Sequence, residues 1–145
     1  MKGSIHTQLA SSYLMYFVAS IGALFLDTLL GVEVVVPYAK EGMIACFAFG
    51  TFLIIWAQIT SRKALGHNTS YFFKGPYKYM RNPTHLGLVF LVVGYTLISG
   101  SLIFSLVTIV GYLISNIFFG SYEAILNRTY GEEHKHYQSN VPKIL

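Results

Sequence analysis

Charge is what this sequence has least of. Of its 145 residues, 11% are Asp, Glu, Lys or Arg, against about 25% in soluble domains. With 54% hydrophobic residues and a mean hydropathy of +0.54, that shortage excludes an ordinary soluble domain. Cysteine is nearly missing too. Cys46 stands alone, which excludes an internal disulfide and a cysteine metal cluster, and its apolar surroundings point to packing. There is no internal repeat of about 20 to 50 residues and no low-complexity tract, so the chain is not a repeat array. Also missing are a basic helix and the interleaving of aromatic with basic residues that single-stranded nucleic acid needs. The formal net charge of +4 is therefore read as membrane topology and anionic headgroups, with no nucleic-acid partner.

What the chain does have is long uncharged runs, the mark of an integral membrane protein. The expected fold is all-α: one domain over 1–145, four transmembrane helices at roughly 9–32, 42–60, 83–99 and 102–122, and a polar tail over 123–145. The N-terminal run has only Lys2 as a basic region, and Asp27 interrupts it, so a retained signal anchor fits better than a cleaved signal peptide. From Thr84 to Phe119 the sequence is almost continuously apolar. As one helix that stretch would reach about 54 Å, more than a bilayer needs. Gly100-Ser101 near its middle suits a reversal, so the last two spans form a helical hairpin.

Four spans place the N-terminus, the 61–83 segment and the tail on one side. That side carries Lys2, Arg62, Lys63, Lys74, Lys78, Arg81, Arg128, Lys135 and Lys143, and the other carries Lys40. Nine basic residues against one make the first side cytoplasmic, with both termini there. The expectation is a multi-pass protein embedded among membrane lipids.

Between two apolar stretches lies "GPYKYMRNPTHLG", residues 75–87. Gly75-Pro76 is a turn. Asn82-Pro83 is a helix start, with asparagine at the cap and proline at the first helical position. Arg81 directly before it adds a fork of donors to the free N–H groups and partial positive charge of a helix N-terminus. The stretch is either an anchoring loop among headgroups or a seat for a carboxylate or phosphate.

The fourth helix carries Ser105, Thr108, Tyr112, Ser115, Asn116 and Glu123 at helical spacing. Together they form one polar stripe, and such stripes within bilayers usually face the protein interior or a wet cleft. The hairpin returns Glu123 to the depth of Arg81. That pair is either a simple ion pair or a clamp on a zwitterion, with arginine taking a carboxylate and glutamate an ammonium.

At these residues the sequence resembles the integral-membrane methyltransferases that include isoprenylcysteine carboxyl methyltransferase and the phospholipid N-methyltransferases. Their C-terminal half reads G-P-Y-x-Y-x-R-H-P-x-Y-x-G, then a hairpin, then E-E-x-x-L-x-x-x-F-G with spaced tyrosines and a closing V-P. Here the blocks are "GPYKYMRNPTHLG" and "YEAILNRTYGEEHKHYQSNVP". Asn82 stands where the family has histidine, His85 where it has tyrosine, and Tyr122 where it has the first glutamate. Tyr130 replaces phenylalanine and His134 replaces a tyrosine. The resemblance implies S-adenosylmethionine as methyl donor, in a pocket closed by the tail on the cytoplasmic side, with no metal. It assigns the catalytic roles to Arg81 and Glu123. Asn82, Pro83, His85, Leu86 and Gly87 would face the cofactor from the first block, and Tyr122, Tyr130 and Tyr137 from the second.

A zwitterionic sulfonium donor must come from the cytoplasm and a lipidic or amphipathic acceptor from the bilayer, so an interfacial groove suits both. The acceptor group is a carboxylate, thiol or amine. Two other readings stand beside this one: an NADPH-dependent sterol or steroid-type reductase, and a non-catalytic partner protein. Asp27 is the acid deepest in an apolar run, which makes it either a functional suspect or a structural contact. His134 and His136 lack a third ligand and are not read as a metal site. Gly87 and Gly94, seven residues apart, are expected to allow close helix packing.

Overall fold

The computed structural model describes residues 2–31, 34–35, 37–66 and 70–143. Within its helices the side chains of 2–13, 15, 65, 66, 108, 115–119, 121 and 122 lie outside the description. Five helices follow one another: α1 (Lys2–Leu30), α2 (Ala39–Gly66), α3 (Pro83–Ser99), α4 (Leu102–Tyr130) and α5 (Glu132–Asn140). A short 3₁₀ turn, Gly75–Lys78, precedes α3. Among the described residues there is no strand.

The helices pair as α2 with α3 and α1 with α4. Glycine brings the first pair together. A Cβ on Gly50 would lie 2.6 Å from the Gly87 carbonyl oxygen, and one on Gly87 would lie 2.8 Å from that of Gly50. A Cβ on Gly94 would lie 2.8 Å from the Phe47 ring and 3.1 Å from Cys46 Cβ. Small residues that let backbones approach are how helices bind one another where lipid removes the hydrophobic drive, so the glycine expectation holds. In the second pair α1 buries Tyr16 and Ala23, seven residues apart, against α4.

The hairpin turn falls at the expected place. Gly100 caps α3 at φ 64°, and a Cβ there would lie 2.4 Å from the Val34 carbonyl oxygen. The Val34 N–H donates to the Gly100 carbonyl at 2.8 Å. Ser101 caps α4, its Oγ accepting from the Phe104 N–H at 3.0 Å and donating to Asp27 Oδ1 at 2.5 Å. Asp27 thus has a structural partner: it fastens the end of α1 to the hairpin turn.

The last long helix, α4, runs past the expected end of the fourth span at 122 to Tyr130, and within the polar stretch after it the chain forms the short helix α5. Polarity marks where a chain leaves the apolar phase, and a helix continues past that point wherever its residues allow it. For the same reason α2 extends six residues beyond its apolar run, to Gly66. Among the described residues one helix, Ala39–Ala64, is long and apolar enough by itself to cross a membrane. Tyr16–Leu30, Pro83–Ser99 and Leu102–Ile114 are shorter apolar helices. Large apolar side chains face outward along α1, α2 and α4, among them Phe17, Phe25, Phe52 and Leu106.

Candidate functional site at the N-terminus of α3

The site grows from the start of α3. Pro83 opens the helix, Asn82 precedes it, and the first turn through Gly87 is buried throughout. Proline costs nothing there because the first-turn N–H groups have no helical acceptor. Asn82 makes no side-chain cap. It is only 8% exposed, and its Nδ2 has no hydrogen-bond partner.

Arg81 stands immediately before. Its Nη1 donates to Glu123 Oε1 of α4 at 2.7 Å, with both side chains mostly buried. Its Nε is buried and has no acceptor. Two donors, Arg81 Nε and Asn82 Nδ2, therefore lie beside a helix N-terminus without partners. A buried unsatisfied donor costs about 1–3 kcal/mol, so an anionic acceptor placed there would remove two such penalties.

The C-terminal segment covers this end of the molecule. The Arg81 N–H donates to the Pro142 carbonyl at 3.4 Å. The Tyr137 hydroxyl, from α5, donates to the Tyr77 carbonyl at 2.7 Å and to that of Met80 at 3.4 Å. Phe72 stacks on Tyr137 with ring centroids 4.8 Å apart and meets Tyr130 edge-on at 5.0 Å. Ser70 also bonds Glu133. Gly75 makes the turn that brings this loop in: its φ is +51°, and a Cβ would lie 2.4 Å from Thr60 Oγ1.

His134 completes the cover. It is 1% exposed, and Asn127 Oδ1 accepts from its Nδ1 at 2.8 Å. Burial, helped by the Arg81 charge, holds its pKa below the ordinary 6.5 and keeps it neutral. His136 is exposed. Among the described residues no three His, Cys, Asp or Glu side chains stand together as a metal site.

The structure brings Arg81, Asn82 and Glu123 together. Pro83 and Leu86 lie buried in the same first turn of α3. Gly87 faces α2, where its closest contacts are Gly50 and Ile54. Tyr130 and Tyr137 pack on Phe72, so they hold the C-terminal helix in place. Tyr122 falls outside the described side chains, as do Thr108, Ser115 and Asn116 of the polar stripe. Ser105 turns back to the Ser101 carbonyl at 3.0 Å. His85 meets Tyr16 and Tyr112. Phe72 and Asn127 carried no sequence signal: Phe72 takes its role from Tyr137, 65 positions on, and Asn127 from His134, which α5 turns back onto it.

Comparison with protein families matches residues 42–133 to phospholipid methyltransferase. That segment is more than half of the chain and contains Arg81, Asn82 and Glu123. Neither the curated proteins nor the solved structures provided a match.

Proposed function

The chain belongs to the phospholipid methyltransferase family, and on that premise we propose that it moves a methyl group from S-adenosylmethionine to a lipidic or small amphipathic acceptor at the cytoplasmic membrane interface. One observation carries the placement of the site: a partly buried Arg81–Glu123 pair beside the α3 N-terminus, with Arg81 Nε and Asn82 Nδ2 left without acceptors. The donor set fits a zwitterionic amino-acid group. Arg81 Nε, Asn82 Nδ2 and the helix N-terminus suit its carboxylate. Glu123 Oε1 accepts from Arg81, and the carboxylate as a whole suits an ammonium.

S-adenosylmethionine supplies an electrophilic methyl on a sulfonium. Everything else falls to the chain. Arg81 and Glu123 fix each other's side chains, so the ligand meets groups already oriented, and such positioning supplies most of what in-line transfer needs. The C-terminal helix, held by Tyr137 and Phe72, shields this end from water. A carboxylate or thiolate acceptor needs no base, whereas an ammonium must first lose a proton. Glu123 is the residue proposed to take it.

The same reading gives the molecule four membrane passes, with both termini cytoplasmic. The nine-to-one distribution of basic residues supports it. Neither a reductase nor a non-catalytic role receives support from the family match. Calorimetric titration of purified protein with S-adenosylhomocysteine and with NADPH tests the reading. Binding of the first alone is the expected result. No binding at millimolar concentration, or binding of NADPH in its place, would overturn it.

A further inference from the structure

Three rings from three helices meet at the first turn of α3. His85, on α3, is 4% exposed, and Tyr16, on α1, is 6% exposed. The Tyr16 oxygen lies 3.4 Å from His85 Nε2, and their ring centroids are 5.4 Å apart. Tyr112 of α4 stacks on the same imidazole at 6.2 Å with an interplanar angle of 24°. Gly111 of α4 faces the tyrosine too, and a Cβ there would make ordinary van der Waals contact with Tyr16 Cε1 at 3.6 Å.

The location gives the cluster its meaning. His85 is the third residue of α3, whose first turn follows Arg81 and Asn82 directly. Lys143 lies just past the Pro142 carbonyl that receives the Arg81 N–H. Yet α1, which supplies Tyr16, lies wholly outside the segment that matches the family, residues 42–133. An imidazole and a phenol buried between apolar helices lose hydration that two apolar rings would not. Their hydrogen bond offsets that loss only where they stay paired. A polar pair in the turn that directly follows Arg81 marks a place where orientation matters more than packing.

We propose that Tyr16 is a positioning residue for methyl transfer, acting through His85. A phenol hydroxyl both donates and accepts, so at Nε2 Tyr16 pairs with either tautomer, and what it holds is the rotation of the ring. His85 is then presented as a fixed polar edge to the acceptor, in the first turn of α3 beside the donor seat. The inference rests on the methyltransferase reading above, and it gives the first helix a part in the reaction.

The test uses the full-length protein in detergent or vesicles, with Tyr16→Phe, His85→Gln and the double variant. Wild type is first titrated with S-adenosylhomocysteine, because failure there overturns the methyltransferase reading and not the tyrosine–histidine coupling. In Tyr16→Phe the affinity for S-adenosylhomocysteine should stay at the wild-type value. Turnover with labelled donor and phosphatidylethanolamine vesicles should fall about tenfold or more, as misplacing a positioned group does. The double variant should be no slower than His85→Gln, since residues acting as one unit are not additive. Additive losses would overturn the proposal by showing that Tyr16 acts independently of the imidazole. Nitrogen-15 imidazole spectra, with the His85 signals identified by their loss in His85→Gln, need no turnover at all. Tyr16→Phe should move the His85 nitrogen shifts, and unchanged shifts would overturn the proposal whatever the kinetics.

Discussion

Arg81 divides one guanidinium between two tasks. Its Nη1 holds Glu123, while its Nε faces no acceptor among the described residues. The sequence made the arginine legible, because it stands directly before an Asn-Pro helix start. It could not show that the asparagine leaves its amide unpaired, since that depends on what surrounds the first turn of α3. His134 is a second residue whose surroundings decide its behaviour. Burial and then the Arg81 charge lower its pKa from 6.5. The folded state therefore resists the proton that the unfolded chain accepts. The stability this residue contributes is complete above pH 6.5 and is lost as pH falls below that value toward the depressed folded pKa. Thermal unfolding between pH 7.5 and 5.5 should show a falling Tm. In His134→Gln the fall should be shallower, and an identical slope in the two proteins would contradict the assignment.

Among the elements, α2 and α3 are locked by backbone contact. Gly87→Ala would place a methyl 2.8 Å from a carbonyl oxygen that cannot move alone. The helices would have to part, at about 1–3 kcal/mol for such overpacking. Gly22 on α1 has nothing within 4 Å of its added Cβ, so Gly22→Ala should be neutral or mildly stabilising. Equal melting temperatures for the two variants would count against the packing. The spacing of Gly87 and Gly94 was legible in the sequence, but their partners Gly50 and Phe47 on another helix were not. The C-terminal helix rests on Tyr137 in the same way. Tyr137→Phe keeps the ring and removes the bonds to the Tyr77 and Met80 carbonyls. It should cost about 0.5–1.5 kcal/mol and speed proteolysis within residues 128–143. Truncation after Leu126 should abolish S-adenosylhomocysteine binding while leaving membrane insertion intact, and retained affinity would show the C-terminal segment to be an appendage. The polarity of this segment was legible in the sequence, but its helix was not. Its nine residues are too polar for an apolar helix signal, and the aromatic contacts that hold α5 come from residues 60 or more positions away.

For the whole molecule, pairing of α1 with α4 and α2 with α3 leaves the hairpin legs joined at Gly100-Ser101 and again through Arg81–Glu123. Composition made the helical membrane class legible. The hairpin turn was legible too, because Gly100 and Ser101 are the polar break in a long apolar run. Sidedness rests on basic residues, and it can be measured. With Cys46→Ala as background, Lys40→Cys and Ser70→Cys should be labelled from opposite sides of a sealed vesicle, and labelling from one side would contradict the four-pass arrangement. The central claim is methyl transfer at the Arg81–Glu123 pair. The most direct measurement follows labelled methyl from S-adenosylmethionine into membrane lipid by wild type and by Arg81→Lys. Lysine loses the planar fork but keeps the charge, so it still pairs with Glu123 and leaves no carboxylate uncompensated. The variant should melt near the wild-type temperature and transfer label on the order of 100-fold more slowly, about 2.7 kcal/mol of barrier. Transfer at the wild-type rate in Arg81→Lys, or no labelled lipid from wild type, would contradict the account.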